Sequence, residues 1–88
     1  MDFNPKAAGR VIRQLRKKHK LSQDVLSGLV GTPRSHLSKI ETGNIQPNFE
    51  TIWRFAIALN YQPDELVAMI MEETKRMEKE KETQKKEN

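Results

Sequence analysis

The sequence predicts an all-α domain of five helices with a charged C-terminal extension, and three observations predict it. Apolar residues recur at three- and four-residue intervals, with no strand-like alternation and no internal repeat. Capping residues or prolines stand ahead of each periodic segment. The chain has 88 residues and is 35% hydrophobic, enough for one small core.

Each element follows from its punctuation. Asn4 caps the first helix, Pro5 takes its first position, and the pattern runs to about Lys18. Its apolar stripe is Ala8, Val11, Ile12 and Leu15; at 100° per residue Lys6, Arg10, Arg13 and Lys17 gather opposite, a face that reads first as solvated. Ser22 caps a second helix, with Gln23 and Asp24 in its first turn, ending near Val30 before the break at Gly31. Thr32 and Pro33 predict a cap-plus-proline start for a third helix over 33–42, stopped by Gly43. Asn48 caps a fourth, Phe49 to Leu59, closed by Asn60, since asparagine tolerates the left-handed conformation. Asp64 and Glu65 suit the positive end of a fifth helix beginning near Pro63.

Leu26 and Val30 are spaced to share a core with Leu37 and Ile40, and Ser27 is small where the second and third helices approach. The fourth helix is expected to bury Phe49, Ile52, Ala56 and Leu59, with Trp53 and Ile57 widening the apolar stripe on one flank. Val25 and Leu29, one turn apart, read as additional core ahead of a partner patch. After Met71 the only large apolar side chain is Met77. Residues 1–71 are therefore expected to form the domain and 72–88 a charged helical extension or disordered tail. Glu72 and Arg76 could continue the helix by about a turn, with disorder expected beyond about Lys79. That tail is expected to be dispensable.

Charge and composition narrow the function. The net charge is +4, and because residues 72–88 carry six acidic and six basic side chains, the whole excess lies in residues 1–71. A basic folded part suits an anionic partner. Without cysteine there are no disulfides, thiolate zinc sites or cysteine nucleophiles. His19 and His36 lie in different elements and give no metal spacing; Ser35 and His36 are adjacent on a helix and diverge. Neither catalysis nor a cofactor is expected. No apolar run approaches the roughly 18 residues of a membrane span, and MDFNPKAAGR lacks a signal peptide's apolar segment, so a soluble cytoplasmic protein is expected.

The stretch LSQDVLSGLVGTPRSHLSKIETG combines a small residue, a glycine four positions on, and apolar residues six and nine beyond it, the pattern of a helix-turn-helix. On a wheel, the third helix turns Leu37 and Ile40 inward and leaves Ser35, Ser38, Lys39 and Thr42 outward, with Arg34 free at its N-terminal end. Such a face suits a major groove. The starts of the second and third helices, at Ser22 and Thr32, would present anion-binding N-termini to the same duplex.

Through IRQLRKKHKLSQ, LSKIETG and LNYQPDELV, the segment from Ala8 to Val67 resembles the Xre-like, Cro and phage-repressor type of helix-turn-helix DNA-binding domain. The resemblance implies the lambda-repressor-like five-helix fold and an internal ion pair between Arg16 and Glu41. It implies base contacts from Arg34, Ser35 and Lys39, with His36 and Ser38 as neighbours, and a phosphate contact from Gln23. The following loop, TGNIQPN, has no positive charge, so contacts from Thr42 or Asn44 must be neutral. The family commonly dimerises through the segment holding Tyr61, Val67 and Met71; with Trp53 and Ile57 these form the expected dimer face, although Trp53 could instead cap its own core. The expected function is that of a transcriptional regulator binding an inverted-repeat operator as a homodimer, with repression as the default. Alternatives on the same fold are an antitoxin, or another protein-interaction module, and the controller of a restriction-modification system. With no sensing module in view, control is expected from concentration, a protein partner or proteolysis.

Overall fold

The computed structural model describes residues 2–87, with side chains described as far as Glu82. Five helices follow in order: α1 (Pro5–Lys18), α2 (Gln23–Val30), α3 (Arg34–Glu41), α4 (Phe49–Ala58) and α5 (Pro63–Glu87), with no strand among the described residues. α1 packs on α3 and α5, α4 on α2 and α5, and α2 on α3. One core lies between them, with Ile12, Leu26, Leu37, Ile40, Phe55, Leu59 and Leu66 fully buried. Each such side chain contributes on the order of 1.5–3 kcal/mol.

Local chemistry sets most boundaries. The Asn4 side chain accepts from the Lys6 and Ala7 N–H groups, Ser22 Oγ accepts from Val25 N–H, and Asn48 Oδ1 from Thr51 N–H. Lys20 (φ 57°) and Asn60 (φ 65°) take left-handed conformations that turn the chain after α1 and α4. α3 starts one residue later than the cap-plus-proline pattern predicts. Gly31 (φ 78°) closes α2 by letting its own N–H and that of Thr32 donate to the Ser27 carbonyl, at 2.9 and 3.0 Å. Pro33 stays extended (φ −62°, ψ 146°) and is the N-cap, with no side chain capping the helix.

Three packing expectations are corrected. Phe49 is 66% exposed, and Phe55 takes the core place assigned to it. Both fit a helical stripe through Ile52, Ala56 and Leu59, but Phe49 sits in the first turn, beyond the edge of the core. Val25 and Leu29 face solvent, at 50% and 59% exposure, instead of adding to the core. Finally, α5 continues as one helix to Glu87, where disorder was expected beyond Lys79. Thr74 is buried with its hydroxyl donating to the Ile70 carbonyl, Met77 is half-buried, and Glu73 bonds Arg10 of α1 at 3.4 Å. Pairs of Glu72 with Lys75, Glu73 with Arg76, and Arg76 with Glu80 support the helix along its exposed side.

α1 and α3 approach each other closely at a glycine. A Cβ built on Gly9 would stand 2.1 Å from the Ile40 carbonyl oxygen and 2.8 Å from that of Glu41. Only a residue without a side chain lets α3 lie on α1 here. Gly43 (φ 80°) then turns the chain out of α3 against Lys6.

Candidate nucleic-acid interface

α2 and α3 present their N-termini and one face of α3 to solvent. Leu37 and Ile40 anchor α3 in the core, leaving Arg34, Ser35, His36 and Lys39 exposed and Ser38 half-buried. Because no side chain caps α3, the N–H groups of Arg34, Ser35 and His36 have no acceptor among the described residues. Three backbone donors at the positive end of a helix, beside an arginine, suit an anion or the acceptor edge of a base.

The phosphate-facing residues expected from the sequence have different hydrogen-bond states. Ser22 Oγ accepts the cap bond from Val25 N–H at 3.1 Å, so its own proton remains for an outside acceptor. Thr42 differs: its Oγ1 lies 3.1 Å from both the Ser38 and the Lys39 carbonyls, and its proton is used to finish α3. A bond from Thr42 to phosphate therefore requires its hydroxyl to turn away from those carbonyls. Thr32 is half-buried with its backbone N–H committed to α2, whereas Asn44 is exposed. Gln23 is half-buried and its Nε2 donates to Glu41 Oε1 at 3.1 Å, which leaves one of its two amide protons for a phosphate.

Behind this surface lies a buried ionic network. Arg16 forms two bonds to Glu41, Nε to Oε2 at 2.7 Å and Nη2 to Oε1 at 3.0 Å, and its Nη1 donates to the Leu21 carbonyl at 2.9 Å. The Glu41 side chain is 3% exposed. These hydrogen bonds to Glu41 raise the Arg16 guanidinium above its ordinary pKa against the opposing effect of burial, so Arg16 keeps its charge. The network ties α1, the turn into α2, the first residue of α2 and the last residue of α3 to one carboxylate. The spacing of α2 and α3 is thereby held rigid.

The apolar face lies elsewhere. Phe49, Trp53, Ile57 and Met71 are exposed, and Val67 is half-buried. An open cavity of about 540 Å³ is lined by Phe49, Trp53, Val67 and Met71, and a neighbouring one of about 350 Å³ by Phe3, Phe49, Val67 and Met71. Phe3 and Phe49 are thus part of a surface that the sequence pattern assigned to Trp53, Ile57, Tyr61, Val67 and Met71. Tyr61 is half-buried and is engaged edge-on by His19, with ring centroids 6.0 Å apart, where α1 ends. Among the described residues no group of three or more acidic, histidine or cysteine side chains could hold a metal ion, and no helix is long and apolar enough to cross a membrane.

Sequence reasoning passed over Gly9, Asp24 and Glu73. The small run Ala7-Ala8-Gly9 was the available signal for a close helix crossing. Asp24 was read only as a first-turn acid, yet its carboxylate lies 3.6 Å from Arg34 Nε.

Comparison with known proteins agrees with this geometry. The chain is 36% identical over 55 residues to the ImmF control region 10 kDa protein of Bacillus phage phi105, a stretch covering 62% of this chain and 61% of that relative. It superposes on the restriction-modification controller protein C.AhdI of Aeromonas hydrophila with a TM-score of 0.67 at 34% identity, covering 70% of this chain and 94% of the other. The clp gene regulator ClgR of Corynebacterium glutamicum has the same fold, with a TM-score of 0.80 at 15% identity over 94% of this chain and 89% of that one. The family model described as Helix-turn-helix matches residues 12–66, a span that runs from the α1 core through the α2–α3 interface into α5. The chain therefore belongs to the helix-turn-helix family, of the Xre-like type.

Proposed function

We propose that this regulator binds an inverted-repeat operator as a homodimer, placing α3 in the major groove and repressing transcription by occluding a promoter. The observation that carries the reading is the exposed face of α3, with Arg34, Ser35 and Lys39 outward and three unpaired N–H groups at its start. In this reading Arg34 and Lys39 donate to guanine edges, Ser35 and the neighbouring His36 and Ser38 complete the base-facing surface, and Ser22, Gln23, Thr32 and Asn44 meet phosphates. The protein acts by binding, with no catalytic step.

The dimer is assigned to the α4–α5 face. Trp53 and Ile57, at 51% and 59% exposure, and Met71 form a patch on one side of the domain that a second copy would cover. Two subunits paired there about a two-fold axis would set their α3 helices about 34 Å apart, on successive major grooves. A second reading, control of a restriction-modification system, is favoured by the 34% identity to C.AhdI over 94% of that protein. A methyltransferase gene beside this one would support it, and a neighbouring toxin gene would favour the antitoxin reading instead.

Selection of bound duplexes from a random-sequence pool, with sedimentation of the free and bound protein, tests the proposal. The expected result is an inverted repeat with half-site centres about one helical turn apart and two chains per site. A protein that stays monomeric at micromolar concentration, free and on the selected duplex, would overturn the dimer. Failure of the pool to converge would overturn sequence-specific recognition.

A further inference from the structure

The two ends of α3 are unequal toward a phosphate. At its start three N–H groups have no acceptor among the described residues, and Arg34 stands beside them. At its other end the helix presents carbonyls, the negative pole of its dipole, which disfavours an anion. The Thr42 hydroxyl is held there by the Ser38 and Lys39 carbonyls, and residues 42–48 contain no basic side chain. Phosphate contacts fix the register of a helix in the groove, and at this end the turn itself offers no cation to make one.

Lys6 of α1 stands at that turn. A Cβ built on Gly43 would lie 2.7 Å from Lys6 Cγ, 3.0 Å from its Cα and 3.3 Å from its Cβ, so the lysine rests directly on the residue that leads out of α3. Lys6 is exposed and belongs to no ion pair among the described residues, whereas Arg10, one turn on, is bound to Glu73. Its position does not serve α1. It lies in the first turn, at the positive pole, where a cation is unfavourable and no acidic residue accompanies it. Asn4 Oδ1 already accepts the Lys6 and Ala7 N–H groups, so the ammonium is the donor left for an outside anion. We infer that Lys6 is a DNA phosphate-binding residue, supplying from α1 the positive charge that the turn after α3 lacks. The inference rests on the reading of α3 as the base-reading helix. On its flexible stem the ammonium engages phosphate as a point charge, without regard to sequence. Phosphates held by Lys6 at one end of α3 and by the α2 and α3 N-termini at the other then fix the helix in the groove.

The test measures affinity of the full chain for the selected operator and for a random duplex of equal length, each across a series of salt concentrations, with Tm read alongside. For Lys6→Gln the salt slope should become shallower by about 0.9 per bound chain on both duplexes, the value of one lost phosphate contact. Affinity at about 0.1 M salt should fall about 5- to 10-fold per bound chain on each, with the operator-to-random ratio unchanged. Lys6→Arg, which keeps the charge, should retain the wild-type slopes. Lys75→Gln removes the same charge from the exposed side of α5 and should leave both slopes as they are. Wild-type slopes in Lys6→Gln would overturn the inference while the reading of α3 stands, and a lowered Tm with those slopes would make Lys6 a partner of the α3 carbonyls alone. An equal loss in Lys75→Gln would reduce Lys6 to net charge and overturn it too. So would a loss confined to the operator, which would make Lys6 a base contact. A wild-type protein that does not separate operator from random duplex would overturn both the inference and the reading of α3.

Discussion

Two glycines in helix interiors should respond oppositely to the same substitution. Gly9 in α1 faces the backbone of α3, and a methyl group there would lie 2.1 Å from the Ile40 carbonyl oxygen. An ordinary carbon–oxygen contact is about 3.3 Å, so the two helices must part by about 1 Å at this point. The obstruction is backbone on both sides, and no side-chain rotation relieves it. Overpacking costs about 1–3 kcal/mol or more, alanine's better helix propensity returns about 1 kcal/mol, and the upper end applies to a backbone clash. A net loss of about 2 kcal/mol is expected for Gly9→Ala, lowering Tm by about 10 °C. Separation of α1 from α3 would also pull on the 2.7 Å bond between Arg16 and Glu41, so DNA affinity should fall with stability. Gly28 in α2 is exposed, and a Cβ there meets nothing within 4 Å. Gly28→Ala should therefore stabilise by about 0.5–1 kcal/mol through reduced freedom of the unfolded chain. Thermal unfolding followed by far-ultraviolet circular dichroism reads both. A Gly9→Ala protein melting within about 2 °C of wild type, or a Gly28→Ala protein melting below it, would refute the packing argument.

Further outcomes follow from the α5 extension and the caps. A hydrogen bond from Arg76, ahead of the opposing effect of burial, holds the Glu73 carboxyl below the usual carboxylate range, with Arg10 adding to it. Its stabilising effect is full above the unfolded value of about 4.3 and is lost as pH falls through the lower folded value, so the Tm difference between wild type and Glu73→Gln should be greatest above about pH 5 and shrink toward pH 3. A chain ending at Met71 loses buried Thr74, half-buried Met77 and the Arg10–Glu73 bond, and should lose about 1–3 kcal/mol in urea unfolding, whereas one ending at Glu82 should unfold with the full chain. Ser22→Ala removes both a cap and a free hydroxyl proton, so it should lower Tm and weaken all duplexes alike. Thr42→Val, whose hydroxyl proton is already held by α3 carbonyls, should change stability slightly and DNA affinity little, as read by titration of a labelled duplex.

Features set within a few residues were legible in the sequence, and those set by distant partners were not, apart from the Arg16–Glu41 pair that the family resemblance implied. The Asn4, Ser22 and Asn48 caps, the Gly31 and Gly43 turns and the left-handed Asn60 each depend on neighbours two to four positions away. The cap of α3 was misread because Pro33 keeps an extended conformation (ψ 146°) and so stands outside the helix as its N-cap. Phe49 and Phe55 both satisfy a 3.6-residue period, and only the extent of the core decides between them. Gly9 looks like a weak point in a helix until the carbonyl of Ile40, thirty-one residues on, lies against it. The tail was read as solvated charge because Arg10 of α1, the partner of Glu73, is 63 positions away in the chain. At the interface, the outward residues of α3 were readable from a wheel. That Gln23 bonds Glu41 and Asp24 stands beside Arg34 required the three-dimensional crossing of α2 and α3.

The measurement closest to the central claim is the ratio of operator to random-duplex affinity at one salt concentration, for wild type, Arg34→Ala, Lys39→Ala and Gln23→Ala. If α3 reads bases, Arg34→Ala and Lys39→Ala should each lose about 1–3 kcal/mol on the operator, with relaxed preference at one or two base positions and smaller losses on random duplex. Gln23→Ala should weaken both duplexes equally and leave the ratio unchanged. Equal losses on operator and random duplex for both Arg34→Ala and Lys39→Ala would contradict the account, because α3 would then hold DNA without reading it.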